Sequence, residues 1–465
     1  MSNITDVEAQ HKRMVETPMT RLIVAMALPT TASQLVTVIY NTADTYFVSQ
    51  MGTSATAAVG VVFSLMSIIQ AFGFGLGMGA SSIISRKLGA RQEEDAHRFG
   101  SSAFAAAIAF GLAILVAGLC ALEPFMRLLG STETILPYAC GYARYILIGA
   151  PIMCSSFVLN NILRSQGQAT LAMWGLCAGG LLNIALDPLL IFAFNMGIEG
   201  AAVATLLSQC VSFAILLSVF LRDRSIVQLR PRYISHRPGD YLMILRMGLP
   251  TICRQGLASL ASALMNIQGA LFGDAAVAAL TVSNKVYLLV RNIVIGVGQG
   301  FQPVAGYNYG ARNTKRVREA FFVTCVIGTA LCVVATGVLT LFAHEITGLF
   351  SKDAEMIPLC VKALYYFSAV TPLLAYSTYV NQLYQCLGFS GQASFLASCR
   401  QGIFYLPLIY LLPHFIGLDG VMLTQPLADL LTFIISIPYQ VWFYRHILRL
   451  EPRPGIAGEH GKAGR

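Results

Sequence analysis

The chain has 465 residues, 56% of them apolar and only 11% charged, with a formal net charge of +9. An average soluble domain carries roughly a quarter charged residues. Here the apolar residues come in runs of roughly 20 or more, the length that spans a bilayer. Composition therefore excludes a soluble domain, and the length of the runs favours helices over the short alternating strands of a membrane β-barrel.

Residues 1–20 are polar and mixed in charge, with no apolar core followed by a small-residue cleavage site. The first span is expected to act as its own insertion signal. Twelve spans follow, at about 20–49, 55–82, 95–122, 134–162, 168–194, 198–221, 241–272, 275–306, 316–345, 356–387, 392–415 and 418–446. With the N-terminus inside, the cytoplasmic loops collect Arg86, Lys87, Arg91 and Arg98 after span 2 and Arg222, Arg224, Arg230, Arg232 and Arg237 after span 6. They also collect Arg312, Lys315, Arg316 and Arg318 after span 8 and Arg445, Arg449 and Arg453 at the end. The outer loops hold few basic residues and several acids, among them Glu133, Glu199, Asp274 and Asp419. This is the positive-inside pattern of a multi-pass protein with both termini cytoplasmic. The basic surplus orients the chain in the lipid bilayer, and no nucleic-acid partner is expected.

The chain repeats itself. ALPTTASQ at Ala27 matches GLPTICRQ at Gly248, an offset of 250 − 29 = 221 between Pro29 and Pro250. The same offset pairs Gly52 with Gly273, the Gly75, Gly77, Gly79 ladder with Gly296, Gly298, Gly300, and Asn160 with Asn381. Near the ends it slips by one, so that GIEG at Gly197 matches GLDG at Gly417. Two six-helix halves enter the membrane the same way round, so an axis along the membrane normal should relate them, with a cleft between. The expected fold is an all-α polytopic membrane protein with twelve transmembrane helices in two pseudo-symmetric lobes. Residues 1–19 are a cytoplasmic segment, 20–221 the first lobe, 222–240 a cytoplasmic linker, 241–446 the second lobe and 447–465 a Gly-rich cytoplasmic tail expected to be disordered.

A duplicated bundle with a central cleft is the architecture of alternating-access carriers. Pro29 and Pro250 each remove one backbone hydrogen bond inside a span, which makes them candidate hinges or packing kinks. The glycine ladder lets helices approach closely and reads as packing. No enzyme is expected: the eleven cysteines lie singly, the seven histidines are scattered, and neither a nucleophile set nor a metal-ligand motif is visible.

Scaffold residues should recur between halves, whereas chemistry need not. Asp44 plus 221 is Met265, and Asp187 falls near Pro407, so neither membrane carboxylate is repeated. Ionisable groups inside a membrane are costly and mark functional sites. Asp44 lies about five residues, or roughly 8 Å, from the outer end of its span, and Asp187 lies at a similar depth. Asn183 and Asp187 are four apart, on one helix face. Thr205 sits at a comparable depth on span 6, and Tyr40 one turn below Asp44. These residues form a candidate pocket that could bind a small hard cation through oxygens or take up protons, since two adjacent carboxylates can share one. In the second half the intramembrane charges are Arg254, Lys285, Arg291, Arg400 and Asp429, with Arg400 and Asp429 a possible structural pair. Arg254 and Lys285 either line the cleft and meet an anionic group or satisfy helix-end carbonyls and snorkel.

In these stretches (LPTTASQ, YNTADTYFVSQMG, GLGMGASSIISRKLGA, NIALDPL, GIEGAA, GLPTICRQG and GFQPVAGYNYGA) the chain resembles the multidrug and toxic compound extrusion (MATE) transporters over its whole folded length. The resemblance implies a V-shaped pair of lobes and secondary active efflux of bulky organic cations or amphipathic drugs, driven by inward H+ or Na+, with no cofactor. Part of that family carries an Asp on helix 1, an Asn-x-x-x-Asp on helix 5 and a Thr on helix 6 as a first-lobe cation site. Asp44, Asn183, Asp187 and Thr205 match it, with Tyr40 and Asn160 as neighbours. Other members carry acids on helices 7 and 10, and this chain departs from them, having Arg254 on helix 7. Asn160, Asn381, Arg254, Lys285 and Gln302 are candidate substrate-cleft residues. The expected setting is the cytoplasmic membrane of a bacterium, and the expected working unit a monomer. A flippase for a lipid-linked or anionic substrate, using the basic second-lobe cleft, is the alternative.

Overall fold

The computed structural model describes residues 2–350 and 355–447, so the 447–465 tail lies, beyond its first residue, outside the described residues. After α1 (Ser2–Glu16), the first lobe comprises α2 (Met19–Ser49), α3 (Thr53–Gly89), α4 (Glu93–Cys120), the short α5 (Leu122–Leu128), α6 (Leu136–Ser165), α7 (Ala169–Pro188) and α8 (Gly197–Leu221). The second comprises α9 (Pro238–Ala270), α10 (Asp274–Gly310), α11 (Thr314–Leu341), the short α12 (Ala343–Phe350), α13 (Met356–Leu387), α14 (Ser390–Ser398), α15 (Tyr405–Ile416) and α16 (Leu418–Trp442). There is no strand among the described residues. Wide π turns at Leu189–Ala193 and Cys399–Ile403 extend α7 and join α14 to α15.

Eleven of these helical segments are long and apolar enough to cross a membrane. The twelfth position belongs to α9, whose 33 residues include Asp240, Arg246, Arg254 and Gln255. Hydropathy alone passes over it, whereas the 221-residue offset identifies it as the partner of α2. The backbone repeats as the sequence does. Gly52 and Gly273 both stand at positive φ (112° and 99°) where the chain turns into α3 and α10, and Gly167 and Gly388 do so after α6 and α13. Such values suit only glycine.

Asn160 and Asn381 belong to this scaffold, not to the cleft where the sequence reading puts them. The Asn160 amide donates to the Ala172 carbonyl at 2.8 Å and the Asn381 amide to the Ala393 carbonyl at 2.5 Å. Each ties one helix to the next across the same twelve residues, and both side chains are buried. Gln302 is likewise not in the cleft: its amide donates to Gln385 Oε1 at 3.2 Å, and Gln385 in turn donates to Thr251 Oγ1 at 2.8 Å.

The lobes meet where α3 packs on α9 and α2 on α10. We refer to the end of the molecule at which α2 starts and α3 finishes as the basic face. Contact between lobes is concentrated in the half nearest that face. Gly79 lies against the backbone of Ile244 and Gly248, Gly248 against Gly75, Gly296 against Thr31, and Gly300 against Ala27. A Cβ added at Gly79, Gly248, Gly296 or Gly300 would run into backbone of the facing lobe. Hydrogen bonds follow the same distribution: Thr30 donates to the Gly296 carbonyl at 2.7 Å, and Arg164 to Gln299 Oε1 at 2.5 Å. Towards the far face, Gly60 and Gly256 meet nothing within 4 Å. The molecule is closed at the basic face and open at the other.

Two further segments lock the basic face. The α1 helix, which the sequence reading leaves as a polar segment, bridges the lobes: Gln10 donates to the Gln166 carbonyl at 2.7 Å, His11 Nδ1 meets the Tyr307 hydroxyl at 2.9 Å, and Asn308 donates to the Met14 carbonyl at 3.2 Å. The connector between lobes is strapped to the first one, with the Ile226 N–H donating to Gln166 Oε1 at 2.7 Å and the Ser235 N–H to Ser102 Oγ at 2.8 Å.

Candidate functional site

The first lobe holds a polar cavity between α2, α3, α6, α7 and α8, lined by Ser33, Gln34, Tyr40, Gln70, Asn183 and Thr205 among others. Just beyond it the unrepeated acids converge. On α7, Asn183 and Asp187 stand one turn apart, and the Asn183 amide donates to Asp187 Oδ1 at 3.2 Å and to Thr205 Oγ1 of α8 at 3.4 Å. Asp187 is fully buried, Asn183 and Thr205 nearly so. Pro188 follows at once, and the chain then widens into the π turn, which rotates the helix end beyond the site. Such π turns are frequent at functional sites.

Asp44 reaches the same place from α2. It is half-buried, and the Tyr142 hydroxyl donates to its Oδ2 at 3.5 Å. Tyr142 comes from α6, is wholly buried, and also lies against Thr205. Asp44 and Asp187 are close enough to feel each other's charge. Tyr40 packs one turn below Asp44, its ring lying 3.0 Å from where a Cβ on Gly180 would be. Gly180 thus lets α2 and α7 approach.

Three buried oxygens in this cluster accept no hydrogen bond from the described residues: Asp44 Oδ1, Asp187 Oδ2 and Asn183 Oδ1. Buried polar atoms are ordinarily satisfied. Two carboxylates, an amide oxygen and a hydroxyl with open lone pairs form an all-oxygen set of the kind that suits a hard cation, and the same carboxylates can carry protons. So the structure brings Asp44, Asp187, Asn183, Thr205 and Tyr40 together. It adds Tyr142, which the sequence reading misses. The repeat test would have found it, since Tyr142 plus 221 is Ala363, again an unrepeated polar group.

The second lobe is built on opposite charge. Arg400, presented by the π turn after α14, donates from Nε to Asp429 Oδ1 of α16 at 2.6 Å. The Tyr287 hydroxyl donates to Asp429 Oδ2 at 2.5 Å and is itself in contact with the Arg400 guanidinium. Gln425 completes the shell of Asp429 at 3.0 Å. Arg400 and Asp429 are buried, so this is an internal ion pair. Truncating one partner of such a pair typically costs about 3–5 kcal/mol because the other charge is left alone. Asp429→Leu is therefore expected to lower the melting temperature of the purified protein sharply, and Arg400→Met added to it to recover most of the loss, measured by thermal unfolding in detergent. Lys285 is exposed on α10 and has no ion-pair partner among the described residues.

Comparison with known proteins agrees with the fold. The MatE family model matches residues 29–189 and 250–411, one segment in each lobe. The multidrug export protein MepA of Staphylococcus saprophyticus is 24% identical over 406 residues, 87% of this chain and 89% of that protein. MepA of Staphylococcus aureus (strain NCTC 8325 / PS 47) is 25% identical over 424 residues, 91% of this chain and 93% of that protein. Among solved structures, the outward-facing conformation of a multidrug resistance MATE family transporter of the MOP superfamily superposes with a TM-score of 0.88 at 27% identity, covering 93% of this chain and 97% of that one.

Proposed function

Because the chain belongs to the MatE family, matched across both lobes, we propose that it is a secondary active antiporter that exports organic cationic or amphipathic compounds, drugs and toxins among them, in exchange for H+ or Na+. The relatives that it covers almost end to end are multidrug exporters. The observation that carries the coupling mechanism is the trio of unpartnered oxygens on Asp44, Asp187 and Asn183, beside a small cavity lined by Ser33, Gln34 and Gln70. In this reading the membrane is the cytoplasmic membrane of a bacterium, and the positive-inside rule supports a cytoplasmic basic face, with both termini inside and the cleft open outward.

In this reading the carboxylates take up the ion from outside and lose their hold on a cationic substrate, which leaves outward. Around Pro29 the α2 helix is pinned to α10, by Thr30 and by the close approach of Thr31 to Gly296, whereas no residue from Gln34 to Phe47 is fully buried. Pro29 sits at that boundary and frees one backbone carbonyl, so the outer part of α2 can bend about it once the ion is bound. The lobes then rock, the glycine contacts at the basic face part, and the ion is released inside. Pro250 gives α9 the equivalent hinge. The protein works as a monomer and needs no cofactor.

The test is ethidium efflux from pump-deficient cells under separate H+ and Na+ gradients. Efflux that requires one of the two gradients is the expected result and names the ion. Efflux that persists with both gradients collapsed, or none above the empty vector with protein present in the membrane, would overturn the reading.

A further inference from the structure

The second lobe carries more buried positive charge than it neutralises. Arg254 of α9 and Arg291 of α10 lie close enough to Arg400 and to each other for their charges to interact. The one carboxylate among them, Asp429, is taken up by Arg400, Tyr287 and Gln425. Three guanidinium groups and one carboxylate leave 3 − 1 = 2 positive charges. Arg291 is only 7% exposed, and neither its Nε nor the Nη1 of Arg254 has a hydrogen-bond partner among the described residues. A buried guanidinium with free donors in a membrane interior is costly unless something anionic meets it.

The pseudo-symmetry says where this cluster sits. Subtracting the repeat offset takes Arg254 to Ser33 (254 − 221) and Arg291 to Gln70 (291 − 221). With the offset of 220 that holds near the end of each half, Arg400 maps to Gly180 and Asp429 to Gln209. All four counterparts line the polar cavity of the first lobe. The arginines therefore stand at the second lobe's equivalents of that cavity's lining. The cluster reaches the space between the lobes: Arg254 is partly exposed, Ile252 beside it packs on Gly75 of the first lobe, and Gly256 meets nothing within 4 Å.

We propose that this pocket is a binding site for an anionic group, a carboxylate or phosphate, held by the unpaired Arg254 and Arg291 with the Arg400–Asp429 pair as its back wall. Guanidinium forks match such groups bidentately. This deepens the export reading, on which it rests for the idea that the ligand is cargo: among the cationic and amphipathic substrates, those that also bear an acid bind more tightly. The first lobe meets the ion or a cationic end, and the second lobe the anionic end.

The test compares two dyes on one fluorophore, rhodamine B with its free carboxylate and rhodamine B ethyl ester, by fluorescence polarisation with the purified full-length protein in detergent. One charge-assisted interaction corresponds to about a tenfold gain in affinity, so the acid is expected to bind about tenfold tighter than the ester. In Arg254→Gln/Arg291→Gln the preference disappears and the two dyes bind alike. Equal binding of acid and ester by the wild type, or binding of neither, overturns the proposal, and this arm needs no variant to fold. Ethidium efflux is read separately: ion-driven efflux with no preference for the acid sinks the pocket alone, whereas the acid preference without efflux sinks the export reading alone.

Discussion

Asp187→Asn is expected to reduce ion-driven efflux by at least tenfold while leaving the protein folded and in the membrane. Asp187 is fully buried, and one of its oxygens already accepts from Asn183 while the other has no partner. The amide keeps the shape but not the charge, so a cation loses one of its two anionic ligands and a proton loses its acceptor. A change of one full charge in a buried site exceeds the 1.4 kcal/mol that makes a factor of about ten. Asp44→Asn is expected to act in the same direction and to a similar extent, because the two acids serve one site. The pair of changes together should cost little more than either alone, as is usual for groups that act as a unit. Asp223→Asn, an exposed acid on the connector, is the control and should be without effect. The rates are read as ethidium efflux normalised to protein in the membrane, and a single Asp187→Asn variant with wild-type rates would remove this residue from the coupling site.

The second large effect is conformational. Gly79 stands where any Cβ would collide with the Ile244 carbonyl and the Gly248 nitrogen. These are backbone atoms of the facing lobe and cannot rotate away. Overpacking of a tight interface costs about 1–3 kcal/mol, and the larger side chain of Gly79→Leu falls at the upper end. Its whole cost bears on the state that is closed at the basic face, so the population should move towards the opposite state by about two orders of magnitude. Spin labels at Gln50 and Asp274, both exposed near the far face, report it. The distance between them should shorten in Gly79→Leu, and efflux should fall because the cycle stalls on one side. An unchanged distance distribution would mean that the glycine contacts do not hold the open state.

Much of this arrangement is legible in the residues. The repeated prolines and glycines mark the two lobes, and the offset finds α9 although its Arg246, Arg254 and Gln255 lower its hydropathy. The contrast between repeated scaffold and unrepeated acids leads to Asp44 and Asp187. Applied consistently, that contrast also assigns the recurring Asn160 and Asn381 to scaffold, where the structure puts them as interhelical ties. What stays hidden depends on contacts between distant elements. The α1 helix has little apolar surface of its own and is held by Met14, buried where α1 meets α10, and by its polar bonds to Gln166 and Tyr307. Neither partner is near it in sequence. Tyr142 likewise reaches Asp44 across 98 residues. Which face of the molecule is closed could not be read from any local pattern, since the same glycines must pack in one state and part in the other.

The central claim is that ion and substrate exchange through the first-lobe carboxylates. Its most direct test is counterflow with purified protein in liposomes, with ethidium added on one side and H+ or Na+ movement followed on the other, for the wild type and for Asp44→Asn/Asp187→Asn. The account predicts ethidium-dependent movement of one of the two ions in the wild type and none in the double variant. Ion movement coupled to ethidium at the wild-type rate in the double variant would contradict it.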